Sequence, residues 1–220
     1  MHEPLVPMFF PILGAQVSET EFQYPDLSWK ELCGMMGNLV ADSGCNKGQL
    51  SNIVEAICHN LREHDNTELE KLVEWQKQMK TKSANKEKPA RPDVSFWFPP
   101  ADVTNAAFIQ NAMTCEKLGG RTQYLNLPEV EMADRMCGGH KQISQMLRNI
   151  YDRQRSGALR ATAEGVTGNP VLRANLTISS TPYAARKFYK NELFNGTFGR
   201  MVFSYKARQG REGKIPRQGK

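Results

Sequence analysis

The stretch Met35-Met36-Gly37-Asn38-Leu39-Val40-Ala41-Asp42-Ser43-Gly44-Cys45-Asn46-Lys47-Gly48-Gln49-Leu50 passes from an apolar run into small and polar residues, then into a helical pattern. Met35 to Val40 reads as a buried strand, Gly44 as a turn, and the residues after Lys47 as the start of a helix. Strand, tight loop, lysine and helix in that order are the layout of a phosphate-binding loop. Successive backbone N–H groups face one concavity, the helix dipole adds partial positive charge, and the lysine reaches the outer phosphates. Against the pattern Gly-x-x-x-x-Gly-Lys-Ser/Thr the chain supplies Ala41, Gly44, Asn46, Lys47 and Gly48. Asn46 suits a place that needs positive φ, because asparagine tolerates it better than most residues. Gly48 removes the hydroxyl through which such a loop holds magnesium. The plainer reading is an ordinary turn with a solvated lysine.

Outward from this loop the apolar pattern alternates between two periods. Strands are expected at Leu32–Ala41, Val94–Phe98, Arg121–Leu127, Val171–Ser179 and Arg200–Tyr205, where short apolar or β-favouring runs end in turn residues. Helices are expected over Gln49–Lys82, from Thr104 to Gly119-Gly120, over Lys141–Tyr151 and over Ala184–Leu193, with a helix tail at Leu5–Val17 and a short strand at Glu21–Tyr24. Thr104 is the expected N-cap of its helix and the Gly119-Gly120 pair its stop. Alternating strands and helices predict an α/β fold: a mostly parallel sheet of about five strands between two helical layers, with ligands at the carboxyl ends of the strands. Residues 1–30 are expected to pack on a core spanning 31–206, with a polar, proline-bearing mobile linker at 83–93 and a basic tail at 207–220.

The 220 residues carry a net charge of +6, unevenly spread. Residues 151–220 hold 14 Lys and Arg against 4 Asp and Glu, while residues 1–150 hold 15 against 19. Tyr183, Phe188, Tyr189, Phe194, Phe198, Phe203 and Tyr205 are interleaved with those cations, a composition that suits a polyanion such as single-stranded DNA. The bland alternative is that the rings are core and the charges a solvated face. Five cysteines, with no Cys-x-x-Cys, argue against a disulfide framework and fit a reducing cytoplasm. Cys137-Gly-Gly-His140 has half the spacing of a zinc site without a second pair. Pro4, Pro7 and Pro11 interrupt the apolar Leu5–Ala15 run and no basic residue precedes it, which argues against a signal peptide or membrane span.

If the loop cradles a nucleotide, hydrolysis needs a carboxylate at a neighbouring strand tip. Glu129, after Tyr124-Leu125-Asn126-Leu127-Pro128, is the expected general base, although a helix-start glutamate is an equally good account of it. Ser180 and Thr181, ending the next strand, are candidate sensors of the γ-phosphate. Arg200, opening the last strand, is a candidate for neutralising transition-state charge.

The whole order of features resembles a bacterial P-loop-NTPase-like family of unknown function that is encoded beside, or fused to, primases and helicases on mobile genetic elements and phages. The residues that carry the resemblance are Phe9-Phe10-Pro-Ile-Leu-Gly-Ala15, Asp42-Ser-Gly-Cys-Asn-Lys-Gly48, the charged helix with its Lys/Pro-rich exit, and Asp102-Val-Thr104. They continue through Gly119-Gly-Arg121, the strand ending at Glu129, Tyr151-Asp152, Asn169-Pro170 and Gly199-Arg200. The resemblance implies a three-layer, RecA-like P-loop NTPase core and a helicase-like ATPase acting in DNA replication or mobilisation. Its phosphates would be bound by Ser43, Gly44 and Lys47 with Asn46, Gly48 and Gln49 around them. It further implies ATP with Mg2+, acid/base work by Glu129, a phosphate- or interface-sensing Arg200, primase or other replication partners, possible self-association, and a chain that continues past residue 220. Gly48 in place of Ser or Thr and Pro128 in place of Asp are departures from the family pattern. Asp42, Gln49, Asn126 and Glu131 are the residues placed to compensate, and the alternative function is a degenerate scaffold that binds DNA or partners without hydrolysis.

Overall fold

A computed structural model describes residues 3–18, 20–23, 25, 30–32, 34–81, 89–137, 143–157, 166–190 and 196–208. A 3-10 turn at Glu3–Phe9 leads into α1 (Phe10–Gln16), and a small antiparallel pair follows, β1 (Glu21–Gln23) with β2 (Lys30–Leu32). The body is β3 (Met36–Ala41), α2 (Gly48–Ile57), α3 (His59–Thr81), α4 (Asn105–Lys117), β4 (Gln123–Leu127), α5 (Met132–Cys137), α6 (Ile143–Tyr151), β5 (Ala174–Ser180), α7 (Pro182–Tyr189) and β6 (Met201–Lys206). Four of these strands form one all-parallel sheet in the order β4-β5-β3-β6.

The sheet is covered on both faces, so its strands read as near-continuous buried runs. Successive side chains of a strand point to opposite faces. Met36 accordingly joins the core that includes Phe108, Leu125, Met136, Leu147 and Ile178, while Leu39 joins the one built from Leu5, Met8, Ile12, Leu50, Val54 and Tyr124. The first core lies under α4 to α7, the second under the N-terminal helical segment, α2 and the start of α3. Gly37 has no side chain because Met8 lies over it: a Cβ there would come within 3.0 Å of Met8 Cε. Asn175 Nδ2 and Thr177 Oγ1 donate to the backbone oxygens of Pro11 and Met8, which fastens the N-terminal segment across β5.

Thr104 caps α4 by accepting the Ala107 N–H, and Gly119 (φ 113) and Gly120 (φ 78) end it with the left-handed backbone that glycine permits. Three expectations need correction. The sheet has four strands among the described residues, because residues 94–98 join no ladder, bend at Trp97 and Phe98, and make one backbone bond to β4, Tyr124 N–H to Trp97 O at 2.8 Å. Side chains of α3 and α4 take the N–H groups of Ser95, Phe96, Trp97 and Phe98. The expected helix Gln49–Lys82 breaks at Cys58 into α2 and α3. β1 falls on the strand expected at Glu21–Tyr24, whereas its antiparallel partner β2 and the helix α5 are additions to the expected elements. Of the linker expected at 83–93, residues 89–93 carry no regular structure and the rest lie outside the described residues, as do Phe194, His140 and most of the 207–220 tail. Among the described residues no helix is long and apolar enough to cross a membrane.

Candidate functional site

The loop after β3 turns through two left-handed residues, Gly44 (φ 81) and Asn46 (φ 55). Between them the Cys45 side chain is buried, anchoring the turn, and Cys45 N–H donates to Asp42 O at 3.2 Å. Lys47 then stands as the N-cap of α2 with no side-chain cap bond, and the first turn of that helix carries no acidic residue. Four N–H groups, those of Gly44, Asn46, Lys47 and Gly48, make no hydrogen bond among the described residues. The Gln49 and Leu50 N–H groups close back on Asn46 O and Lys47 O. A helix start left uncapped in this way, with its dipole unopposed, is an anion site in waiting. A Cβ added at Gly44 or Gly48 would meet nothing within 4 Å, so the space outside the turn is open. Lys47 is half-buried and has no ion pair among the described residues. Ser43 is exposed at the turn's outer edge.

Asp42 is the one acidic residue of this loop, and it is turned toward the end of β6. Tyr205 Oη donates to Asp42 Oδ2 at 3.4 Å and Arg208 N–H donates to the same oxygen at 3.2 Å. The Asp42 charge in turn raises the Tyr205 hydroxyl above the usual tyrosine range.

Glu129 follows the tip of β4, exposed, with its backbone oxygen accepting the Met132 N–H and its carboxylate making no hydrogen bond or ion pair among the described residues. The sheet order puts β5 between β4 and β3, so Glu129 is not beside the Lys47 loop: two strand spacings, roughly 10 Å, separate the strands that lead to them. Asn126 makes the direct link to the loop's helix. It is 9% exposed, its Nδ2 donates to Ser51 Oγ of α2 at 3.4 Å, and its Oδ1 is buried with no partner. An uncharged residue in the last turns of an apolar strand is a faint signal, and only the fold shows which way it points.

Ser180 and Thr181 do lie at the carboxyl edge, beside Val40, yet both hydroxyls are used internally. Ser180 Oγ donates to Asn38 Oδ1 at 2.8 Å, and Asn38 Nδ2 donates to Tyr189 Oη at 2.8 Å, a buried chain across the centre of the sheet. Thr181 caps α7 by accepting the Ala184 N–H at 3.2 Å. Ser180→Ala should therefore cost about 1–2 kcal/mol of stability, read from the urea midpoint, because it removes one bond and leaves Asn38 Oδ1 short of a donor. An unchanged midpoint would show that this chain of bonds does not support the sheet.

Arg200 does not join the others. It precedes β6, at the amino end of a parallel sheet, whereas the Lys47 loop follows the carboxyl end of β3. Six residues of strand put roughly 20 Å between the two ends. There Arg200 pairs with Asp152 through both Nε (2.9 Å) and Nη2 (3.0 Å), and this bond raises its proton affinity further. The C-terminal aromatics divide. Phe188, Tyr189, Phe198 and Phe203 pack ring on ring with centroids 4.5 to 6.3 Å apart, Tyr189 buried in the core and Phe198 at the exposed edge of the cluster. Tyr183 and Tyr205 stand open at 79% and 57% exposed, both at the carboxyl end of the sheet. Arg155 and Arg200 are spent on Glu116 and Asp152, and Arg173 on Gly120 O, while Arg186, Lys187, Lys206 and Arg208 form no ion pair among the described residues.

The loop's amides and Lys47 fit phosphates. The residues present do not fit magnesium in the usual way, since Gly48 offers no hydroxyl and Pro128 no carboxylate. Among the described residues no cluster of three or more His, Cys, Asp or Glu side chains is placed to hold a metal ion. Cys45, Cys58, Cys115 and Cys137 are buried and in no disulfide, and burial pushes the Cys58 and Cys115 thiols up to about 12, which leaves them protonated and unreactive. No protein-family model, curated protein or solved structure matches the chain.

Proposed function

We propose that the chain is a nucleotide-binding, NTPase-like protein that holds the phosphates of ATP in the loop Ser43–Gln49 and works on DNA, in the replication or mobilisation of a mobile element. The observation that carries the nucleotide part is the uncapped start of α2 behind two left-handed residues, with Lys47 unpaired beside it. The DNA part is supported by Tyr183, Tyr205, Lys206 and Arg208, exposed or half-exposed toward the same end of the sheet, and by the family resemblance. Contact with a primase and self-association belong to this proposal through the resemblance alone.

A second reading has its own support. Glu129 is exposed and a strand removed from the loop, Gly48 and Pro128 stand where a hydroxyl and a carboxylate would hold the metal, and the polar link between β4 and α2 is the uncharged pair Asn126 and Ser51. That arrangement favours a scaffold that binds without turnover. ATP binding and hydrolysis, with and without single-stranded DNA, separate the two when wild type is compared with Lys47→Ala and Glu129→Gln. Lys47→Ala should weaken ATP by about 10- to 100-fold, the loss of one charge-assisted contact worth about 1.5–3 kcal/mol. Turnover that falls in both variants identifies the enzyme; ATP binding with no turnover above background identifies the scaffold; equal ATP affinity in Lys47→Ala removes the loop from both. DNA affinity should fall steeply with salt, and a flat response would contradict the charge argument.

A further inference from the structure

Residues 94–98 could have completed the sheet as a fifth strand, and the structure spends buried polar groups on holding them out of it. Glu68 Oε2 accepts the Ser95 N–H at 3.1 Å and Asn111 Oδ1 the Phe96 N–H at 2.8 Å. The two carboxylate oxygens of Asp65 accept the Trp97 and Phe98 N–H groups, each at 2.7 Å. Asp65, Glu68 and Asn111 are 4%, 6% and 7% exposed. Burying such groups is costly unless each is bonded, and a plain edge strand needs none of them.

The segment so held forms one wall of a cavity of about 480 Å³ between α3, residues 91–104 and α4. That volume lies in the range of small-molecule sites, as does the mainly apolar lining with a few polar groups. Leu69 and Leu72 of α3, Phe96, Phe98 and Val103 of the segment, and Ala107 of α4 supply the apolar walls. The charges around it are largely cancelled within the fold: Asp93 pairs with Lys117, Asp102 with Arg135 and Arg62 with Glu55, while Asp65 is taken up by the backbone. Arg91 has no ion pair among the described residues, and its guanidinium lies 6.0 Å from the centre of the Trp75 ring.

We propose that this cavity is a binding site for a small amphipathic anion, its flat apolar body held between α3 and α4 and its charge met by Arg91. The site is separate from the Lys47 loop and does not depend on the nucleotide reading. The probe is anilinonaphthalene sulfonate, an aromatic anion, titrated into the whole chain and followed by emission sensitised from Trp75. Saturable binding of one probe per chain is expected. Ala107→Phe, on the exposed side of α4, should fill the cavity and abolish it, and Leu69→Glu, on the exposed rim of α3, should do the same by repulsion should the first variant fold poorly. Arg91→Ala should weaken the probe several-fold and Arg91→Lys should restore most of the affinity, while Lys47→Ala should leave it unchanged. Unsaturable binding, binding that survives both Ala107→Phe and Leu69→Glu, binding indifferent to Arg91→Ala, or binding lost instead in Phe10→Ser, which alters the exposed apolar side of α1, would each overturn the proposal.

Discussion

Asp65→Ala is expected to destabilise the chain by about 2–4 kcal/mol. The substitution strips two N–H groups, those of Trp97 and Phe98, of their acceptors in a site that is 4% exposed, and each unsatisfied buried donor costs about 1–3 kcal/mol. Relief of a buried charge offsets part of that sum. Burial holds the Asp65 carboxyl above the ordinary aspartate range, outweighing the two N–H bonds and the nearby His64 and Arg62, which act the other way. The sign follows: the folded chain binds this proton more tightly than the unfolded one, so the contribution is fully present below the unfolded value, about 3.9, and is lost as pH rises through the raised folded value. Urea midpoints should therefore fall for the wild type as pH rises from about 4 through that window. Asp65→Asn, which cannot ionise, should lack that part of the slope. A cost under about 1 kcal/mol in Asp65→Ala would mean that the segment at residues 94–98 does not depend on α3.

Phe108→Ala is expected to cost about 3–5 kcal/mol. Phe108 is fully buried on the inner face of α4, in the same core as Leu125, Leu127 and Ile178, and truncation removes most of a ring where β4 and β5 cannot move to fill the space. In a domain of this size each kcal/mol shifts the melting temperature by about 2–4 °C, so a drop on the order of 10 °C is expected by thermal unfolding. Phe198, 41% exposed, provides the contrast: its truncation should cost far less, and comparable losses at both positions would contradict the assigned core.

The α/β character was legible because both faces of the sheet are covered. Met36–Ala41 then reads as a near-continuous small-and-apolar run, and the strand within Val171–Ser180 as the alternating, β-favouring run Leu-Thr-Ile-Ser, each between helical periods. The turn chemistry was legible too: Gly44 and Asn46 take positive φ and Thr104 caps α4, since these preferences are local. Strand order was not, for it rests on long-range packing, and it is strand order that moves Glu129 one strand away from the Lys47 loop. The position of Arg200 was readable in principle. A residue that opens a strand of a parallel sheet lies at the opposite end from a loop that closes one, and alternation of strands and helices had already implied the parallel sheet. The loss of Val94–Phe98 as a ladder strand was not readable, because Asp65, Glu68 and Asn111 compete for its N–H groups from far away in sequence. The C-terminal aromatics looked alike in sequence; burial alone separates the packed Phe188, Tyr189 and Phe203 from the open Tyr183 and Tyr205.

The central claim is that the turn between β3 and α2 receives phosphate on its backbone amides. The direct measurement is a titration of the isotope-labelled chain with ATP, following the amide resonances of Ser43 to Gly48 by NMR. Saturable shifts are predicted at Gly44, Asn46, Lys47 and Gly48, weakened at least tenfold in Lys47→Ala. The shifts should also be lost in Gly44→Val, where φ 81 is closed to a β-branched side chain. Amides that do not respond to ATP, or that respond equally in wild type, Lys47→Ala and Gly44→Val, would contradict the account.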